Sequence, residues 1–260
     1  MKYLYLLIIV LLTGCNTKPQ ANPFRLPFND TPARTNKYGM GLIKSERTLR
    51  LKTAGVTTPK DWTRPPWINN AGYFMPITDQ GQTPTCTAYA LEYLVKGSYW
   101  RHTGQWPDQN LHTKIYMAAN RLDGDNKDGA SLESAMSVLT NLDLGLGKIT
   151  IQVIPVWDPD DVPYAIHRYG AVFSAMEITD QWERYHSGLL PHSRNYIGPH
   201  AQIIVGYDDQ RNTMFGVNSW GQLWGRQGFW EMSASTFTVE YAYGYAIRIT
   251  FDPMLGTMVQ

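Results

Sequence analysis

Cysteine is scarce in this chain: only Cys15 and Cys86 occur among 260 residues. So small a set excludes a disulfide framework and leaves each thiol to be read for a chemistry of its own. An excess of charge of one sign is also missing. The chain has 23 basic against 22 acidic residues and no long basic run, which argues against a nucleic-acid surface. Five of the six histidines, His102, His112, His167, His186 and His192, stand in polar or loop-like contexts with no matching Cys or carboxylate spacing, so no metal or other cofactor is expected. The apolar run of residues 3–12 is about half of the roughly 20 residues that a spanning helix needs. No internal repeat is found. What the chain has in quantity is aromatic rings, 9 Trp, 16 Tyr and 8 Phe, which fit an irregularly packed globular protein and not a disordered one. Its length suits one large domain or two small ones.

Residues 1–15 read as a processing signal, with Lys2 as the positive end, the apolar run, and small residues Thr13 and Gly14 ahead of Cys15. Leu12-Thr13-Gly14-Cys15 resembles the bacterial lipobox, whose Cys is acylated and becomes the mature N-terminus. The resemblance implies lipidation at Cys15 and a lipid-anchored protein of the bacterial cell envelope. Several acyl chains would be needed, because one chain binds a membrane only marginally. Asn16 in place of Asp points to the outer membrane and periplasm over the inner membrane. An ordinary secretory signal cut nearby is the alternative.

Residues 16–60 show no sustained period and are expected to be a tether and lead-in, followed by a domain over 61–252 and a tail over 253–260. In the first half of the domain, apolar spacing predicts helices over residues 83–99, 111–120, from 131 onward, and 162–169. The first has Thr83 as expected N-cap and Pro84 as first helical residue. The second half changes to period two, predicting strands over 171–178, 201–207, 214–218, 228–232 and 245–251. Helices first and strands afterwards indicate an α+β protein whose two lobes meet in a cleft.

A thiol attacks carbonyl carbon as the thiolate, and the first turn of a helix favours that form through its unpaired N–H groups and dipole. Cys86 falls in such a turn, although a buried, inert cysteine is the commoner role. His200 alone among the histidines opens an apolar strand, in Gly-Pro-His-Ala-Gln-Ile-Ile-Val-Gly-Tyr. Asn218 follows in Asn-Ser-Trp-Gly, with Trp224-Gly225 close behind, and its side-chain amide can orient an imidazole without adding charge.

These blocks, with Gln80 six residues before Cys86, resemble the papain-like cysteine peptidases of bacterial type from about Trp62 to Phe251. The resemblance implies a papain-like two-lobed fold, with a helical N-terminal lobe, an antiparallel, barrel-like β lobe, and the active site between them. It implies Cys86 as nucleophile, His200 as base and acid, Asn218 as its orienting group, and Gln80 with the Cys86 N–H as oxyanion donors. Trp220 is expected to shield the Asn218–His200 contact, and packing alone would also account for it. Asp128 and Gly129 resemble the substrate-groove segment, with a helix-initiating turn as the alternative, while Pro199 and Ala201 are expected to border an apolar specificity pocket. The implied partners are a polypeptide substrate and, through the lipidated N-terminus, a membrane, with the chain a monomer. Departures from the animal and plant pattern are Pro84-Thr85-Cys86-Thr87 at the nucleophile and Thr83 in place of a disulfide cysteine. Residues 16–60 are too short for the large helical inhibitory propeptide of lysosomal relatives, leaving a short inhibitory strand or a plain tether. An amidase or acyltransferase acting on cell-wall peptides, or an inactive interaction protein, are alternative functions of the same scaffold, and endopeptidase against exopeptidase is open.

Overall fold

The structure, a computed structural model, describes residues 38–43, 54–124 and 128–252. The expectations for Cys15, Asn16, the signal over 1–15 and the tail over 253–260 lie outside the described residues.

A short strand β1 (Trp67–Asn69) and a 3-10 turn at Ala71–Phe74 lead to the central helix α1 (Cys86–Thr103), then α2 (His112–Leu122) and α3 (Leu132–Val138). Strand β2 (Lys148–Val156) and helix α4 (Val162–Tyr169) precede β3 (Val172–Thr179), α5 (Asp180–Arg184), β4 (Tyr196–Asp208), β5 (Thr213–Val217), β6 (Phe229–Ser233), α6 (Ala234–Glu240) and β7 (Tyr241–Asp252). The strands form one antiparallel sheet in the order β2-β7-β3-β4-β5-β6, with β1 on β4. The architecture is α+β, with helices α1, α2 and α3 before most of the sheet. Among the described residues the β lobe takes the expected antiparallel-sheet form, as an open path and not a closed barrel.

Alternation along β4 splits the core in two. Ala201, Ile203 and Val205 face one cluster, shared with Leu91 and Val95 of α1, Leu111 and Ile115 at α2, and Leu132 at α3. Ile204 and Tyr207 face the other, built on Trp182, Trp220, Trp224 and Trp230. A bulge between Ile204 and Gly206 lets the strand keep pairing with β5 while its facing residues change over. Helix α1 packs on β4 and is buried along most of its length, so it is a core helix and not an amphipathic surface one. Gly97 lets it approach the 3-10 turn, where a Cβ would crowd the Tyr73 carbonyl and the Phe74 ring. Leu91, with no exposed surface, contributes roughly 1.5–3 kcal/mol through burial.

Helix α1 begins at Cys86 with Thr85 as N-cap, not at Pro84 behind a Thr83 cap. The reason is local: the Thr83 hydroxyl donates to the Gln80 carbonyl at 2.6 Å and bonds the Thr85 hydroxyl at 2.7 Å, so it belongs to the preceding turn. At α3, Ser131 caps through its hydroxyl, accepting from Ser134 N–H at 3.1 Å. Strands β1 and β2 and helices α5 and α6 were not foreseen from the sequence, and β4 and β7 extend beyond their expected ends.

Candidate active site

The first helical residue of α1 is Cys86, whose side chain is fully buried. The Thr85 carbonyl already accepts from Ala88 and Tyr89 N–H, so Thr85 closes the first helical turns while the N–H groups at the helix start remain free for other partners. His200 comes from β4 and Asn218 from the residue following β5; the Asn218 N–H is held by the Gly228 carbonyl at 2.9 Å. The Asn218 side-chain oxygen Oδ1 lies 2.8 Å from His200 Nε2 and also accepts the Ser219 N–H at 2.7 Å. That second donor, a backbone N–H, fixes which end of the amide is oxygen, so His200 Nε2 must carry the proton. His200 Nδ1 is buried without another partner among the described residues, which leaves it available to the Cys86 thiol. Burial pushes the Cys86 thiol up, but the charge of His200, its hydrogen bond, and the backbone N–H groups of Ala201 and Gly41 outweigh it. The net result is a thiol held below its ordinary value.

Trp220 lies over this pair, 4.9 Å between its ring and the His200 ring, and packs edge-on against Trp224 at 5.3 Å. Trp220, His200 and Asn218 have no exposed surface, so the contact between His200 and Asn218 lies out of water, where it is stronger than in high dielectric. Gln80 is buried beside it. Its N–H donates to the Ser219 carbonyl at 2.8 Å, its side-chain Oε1 accepts from the Ser219 hydroxyl, and its Nε2 donates to the carbonyls of Thr83 at 2.7 Å and Gly39 at 2.8 Å. Ser219 was not singled out from the sequence, although its place between Asn218 and Trp220 was a usable signal.

Residues 128–131 form a wall beside the first turn of α1. Gly129 has φ of 130°, a conformation that favours glycine, and its carbonyl accepts from Asn120 Nδ2 at 2.6 Å. Thr87, next to the nucleophile candidate and also not foreseen, ties this wall to α1 by donating to the Ala130 carbonyl at 2.8 Å. Asp128 is exposed. Pro199 is half-buried opposite Glu177 on β3. Ala201 has its side chain in the core and only its backbone against Cys86.

Residues 146–246, which include His200 and Asn218, match the model of the papain family cysteine proteases. Cathepsin J of Rattus norvegicus is 22% identical over 218 residues, covering 69% of this chain and 61% of its own length. Gamete and mating-type specific protein A of Dictyostelium discoideum is 27% identical over 202 residues, covering 69% of this chain and 43% of its own. The chain thus spans less than two thirds of the length of these two curated relatives. Among solved structures, xylellain, a cysteine protease from Xylella fastidiosa, superposes with a TM-score of 0.65 at 21% identity, covering 83% of this chain and 97% of that one. The fold is thus that of the papain-like structures it superposes on, and residues 146–246 are similar to the papain family cysteine proteases.

Proposed function

We propose that the chain hydrolyses peptide bonds, with Cys86 as nucleophile. The observation that carries the reading is the Cys86, His200 and Asn218 arrangement, in which a fully buried thiol is nevertheless held below its ordinary pKa. The Cys86 thiol passes its proton to His200 Nδ1, the resulting thiolate attacks the scissile carbonyl carbon, and the oxyanion that forms takes hydrogen bonds from Gln80 Nε2 and the Cys86 N–H. His200 Nδ1 then gives its proton to the leaving amine nitrogen, breaking the C–N bond and leaving a thioester. Water, deprotonated by the same nitrogen, attacks the thioester and releases the carboxylic product and the thiol. Asn218 keeps the ring in register by accepting from Nε2–H, in the logic of a triad. An extended substrate would pair with the backbone of residues 128–130, where Gly129 permits close approach. Acylation at Cys15 would hold the domain to the outer membrane on its periplasmic face.

The test is turnover of a fluorogenic peptide library and labelling by a thiol-directed epoxysuccinyl probe. Cleavage and labelling that both disappear in Cys86→Ala support the reading; labelling without cleavage of any peptide overturns it. For the anchor, Cys15→Ser should move the protein from the membrane fraction to the soluble fraction, and an unchanged distribution would remove the lipid from the account.

A further inference from the structure

Away from Cys86, the last turns of α1 and α4 and the residues around Asn70 enclose a cavity of about 300 Å³, at the small end of the roughly 300–1,000 Å³ usual for ligand sites. Its lining includes two guanidiniums and an imidazole, from Arg101, Arg168 and His167, and holds no carboxylate. Arg101 stands fifteen residues after Cys86 on α1, about 22 Å along the helix, so the cavity is separate from the site around the thiol. Arg101 is held from two sides. Its guanidinium carbon lies 5.3 Å from the centre of the Tyr73 ring, and a Cβ built on Gly170 would overlap its Nη1. Glycine at 170, with φ of 95°, thus makes the room that the guanidinium occupies. His167 packs against the Trp62 ring, with 5.7 Å between centroids.

We propose that this cavity binds the phosphate group of a phosphate monoester. Basic side chains at helix C-termini commonly do no more than meet the last carbonyls and the negative end of the dipole. Here those carbonyls have other donors. The Gly104 N–H takes the Trp100 carbonyl at 2.7 Å, the Gly170 N–H takes the Ile166 carbonyl at 2.8 Å, and Asn70 Nδ2 donates to the Gly170 carbonyl at 2.7 Å. Among the described residues neither Arg101 nor Arg168 is paired with a carboxylate, and both are exposed. The two helix ends carry partial charges of about −0.5 each against two full positive charges, so the cavity keeps a net charge of about +1 without any contribution from His167. A phosphate monoester brings about −1.5 to −2 at neutral pH, close to the charge of two guanidiniums, with three acceptor oxygens that their planar forks bridge. A single carboxylate would leave one guanidinium uncompensated. The organic part of the ester would rest on Tyr73 and the buried Ile166, which also line the cavity. A soluble phosphate ester and a phospholipid headgroup offer the same group, and the experiment separates them.

The experiment uses the full chain, with inorganic phosphate as the probe, titrated calorimetrically at constant ionic strength. Saturable binding of one phosphate is expected. Arg101→Gln and Arg168→Gln should each weaken it by about tenfold or more, because each removes charge-assisted hydrogen bonds by changing an exposed side chain. Lys148→Gln, at an exposed lysine that starts β2, lowers the net charge equally and should leave the affinity within about twofold of wild type. In a second arm, wild type and both arginine variants are sedimented with phosphatidic acid vesicles and with phosphatidylcholine vesicles, and comparison between variants cancels any binding through the N-terminus. A preference for phosphatidic acid that falls in both arginine variants assigns the cavity to a headgroup; phosphate binding without such a preference assigns it to a soluble ester. Absence of saturable phosphate binding, or equal affinity in wild type and both arginine variants, would overturn the proposal and leave the peptidase reading untouched.

Discussion

Replacing Gln80 with alanine should move two measurements in opposite directions. Its Nε2 is the side-chain donor proposed for the oxyanion, and the same atom holds the Gly39 carbonyl at 2.8 Å, in a segment of residues 38–43 whose Gly41 N–H donates to Cys86 Sγ at 3.4 Å. Loss of one oxyanion donor lowers turnover by about 10²- to 10³-fold, or roughly 2.7–4 kcal/mol. Loss of one amide–carbonyl bond from this segment removes about 0.5–1.5 kcal/mol of its hold over the thiol, a gain in access of about 2- to 12-fold. The first effect is the larger, so peptide turnover should fall by roughly tenfold to several hundredfold overall, while alkylation of Cys86 by iodoacetamide becomes severalfold faster. Measuring kcat/KM and the alkylation rate on the same preparation separates the two. In a Gly41→Ala background the access gain should vanish and the loss of turnover should remain. Turnover within about threefold of wild type in Gln80→Ala would refute the assigned donor, because no plausible opening of the segment compensates two orders of magnitude.

Other substitutions test the supports of the site. His200→Ala removes the opposing effect to burial at Cys86, so the midpoint of alkylation against pH should move up from below the ordinary thiol value; an unmoved midpoint contradicts the pairing. Asn218→Ala leaves His200 Nε2–H buried without its acceptor, at a cost of about 1–3 kcal/mol, so kcat should fall by roughly 10- to 100-fold, and less than in His200→Ala. Glu92 is a buried carboxylate bonded to Lys96 Nζ at 2.8 Å, His112 Nδ1 at 2.7 Å and the Leu111 N–H at 2.9 Å. Burial raises its pKa, but the bonds from His112, Lys96 and Leu111 win and hold it below 4.5. It therefore stabilises the fold above about pH 4.5, and that stability is lost as pH falls through the lower folded value. Glu92→Ala should lower stability by about 3 kcal/mol at pH 7 and flatten this acid limb in chemical denaturation.

Where local chemistry decides an element, the sequence was enough. Helix α4 was expected over the residues it occupies, because Pro163 suits a first turn and Gly170 ends it. The start of α1 was placed two residues early because a Thr on either side of Pro84 reads equally well as a cap, and only the Gln80 carbonyl, which claims the Thr83 hydroxyl, separates them. Strand β2 alternates as Ile149, Ile151 and Val153 against Thr150 and Gln152, a signal that was present and overlooked. It is an edge strand paired only with β7, so its pattern is half-exposed and weaker than that of β3 or β4. Gln80, Cys86, His200 and Asn218 were named from the sequence because each stands in a compact motif. The structure brings them close together from α1, β4 and two loops.

The segment of residues 38–43 left almost no such trace, for a physical reason. Apart from Tyr38 on Trp220, Met40 against Gly198 and Leu42 beside Ala130, its contacts are made by backbone N–H and carbonyl groups, and backbone contacts select no side-chain type. The one imprint they can leave is the exclusion of Cβ, seen as Gly39-Met40-Gly41 in a stretch with no apolar period. A position held this way, such as Gly41, should respond to the size of a substituent and hardly to its polarity. Ser, Ala and Asp at position 41 should therefore accelerate alkylation of Cys86 alike, because each places a Cβ against the Pro84 carbonyl. A graded response that followed polarity would mean that the segment is held by something other than its backbone.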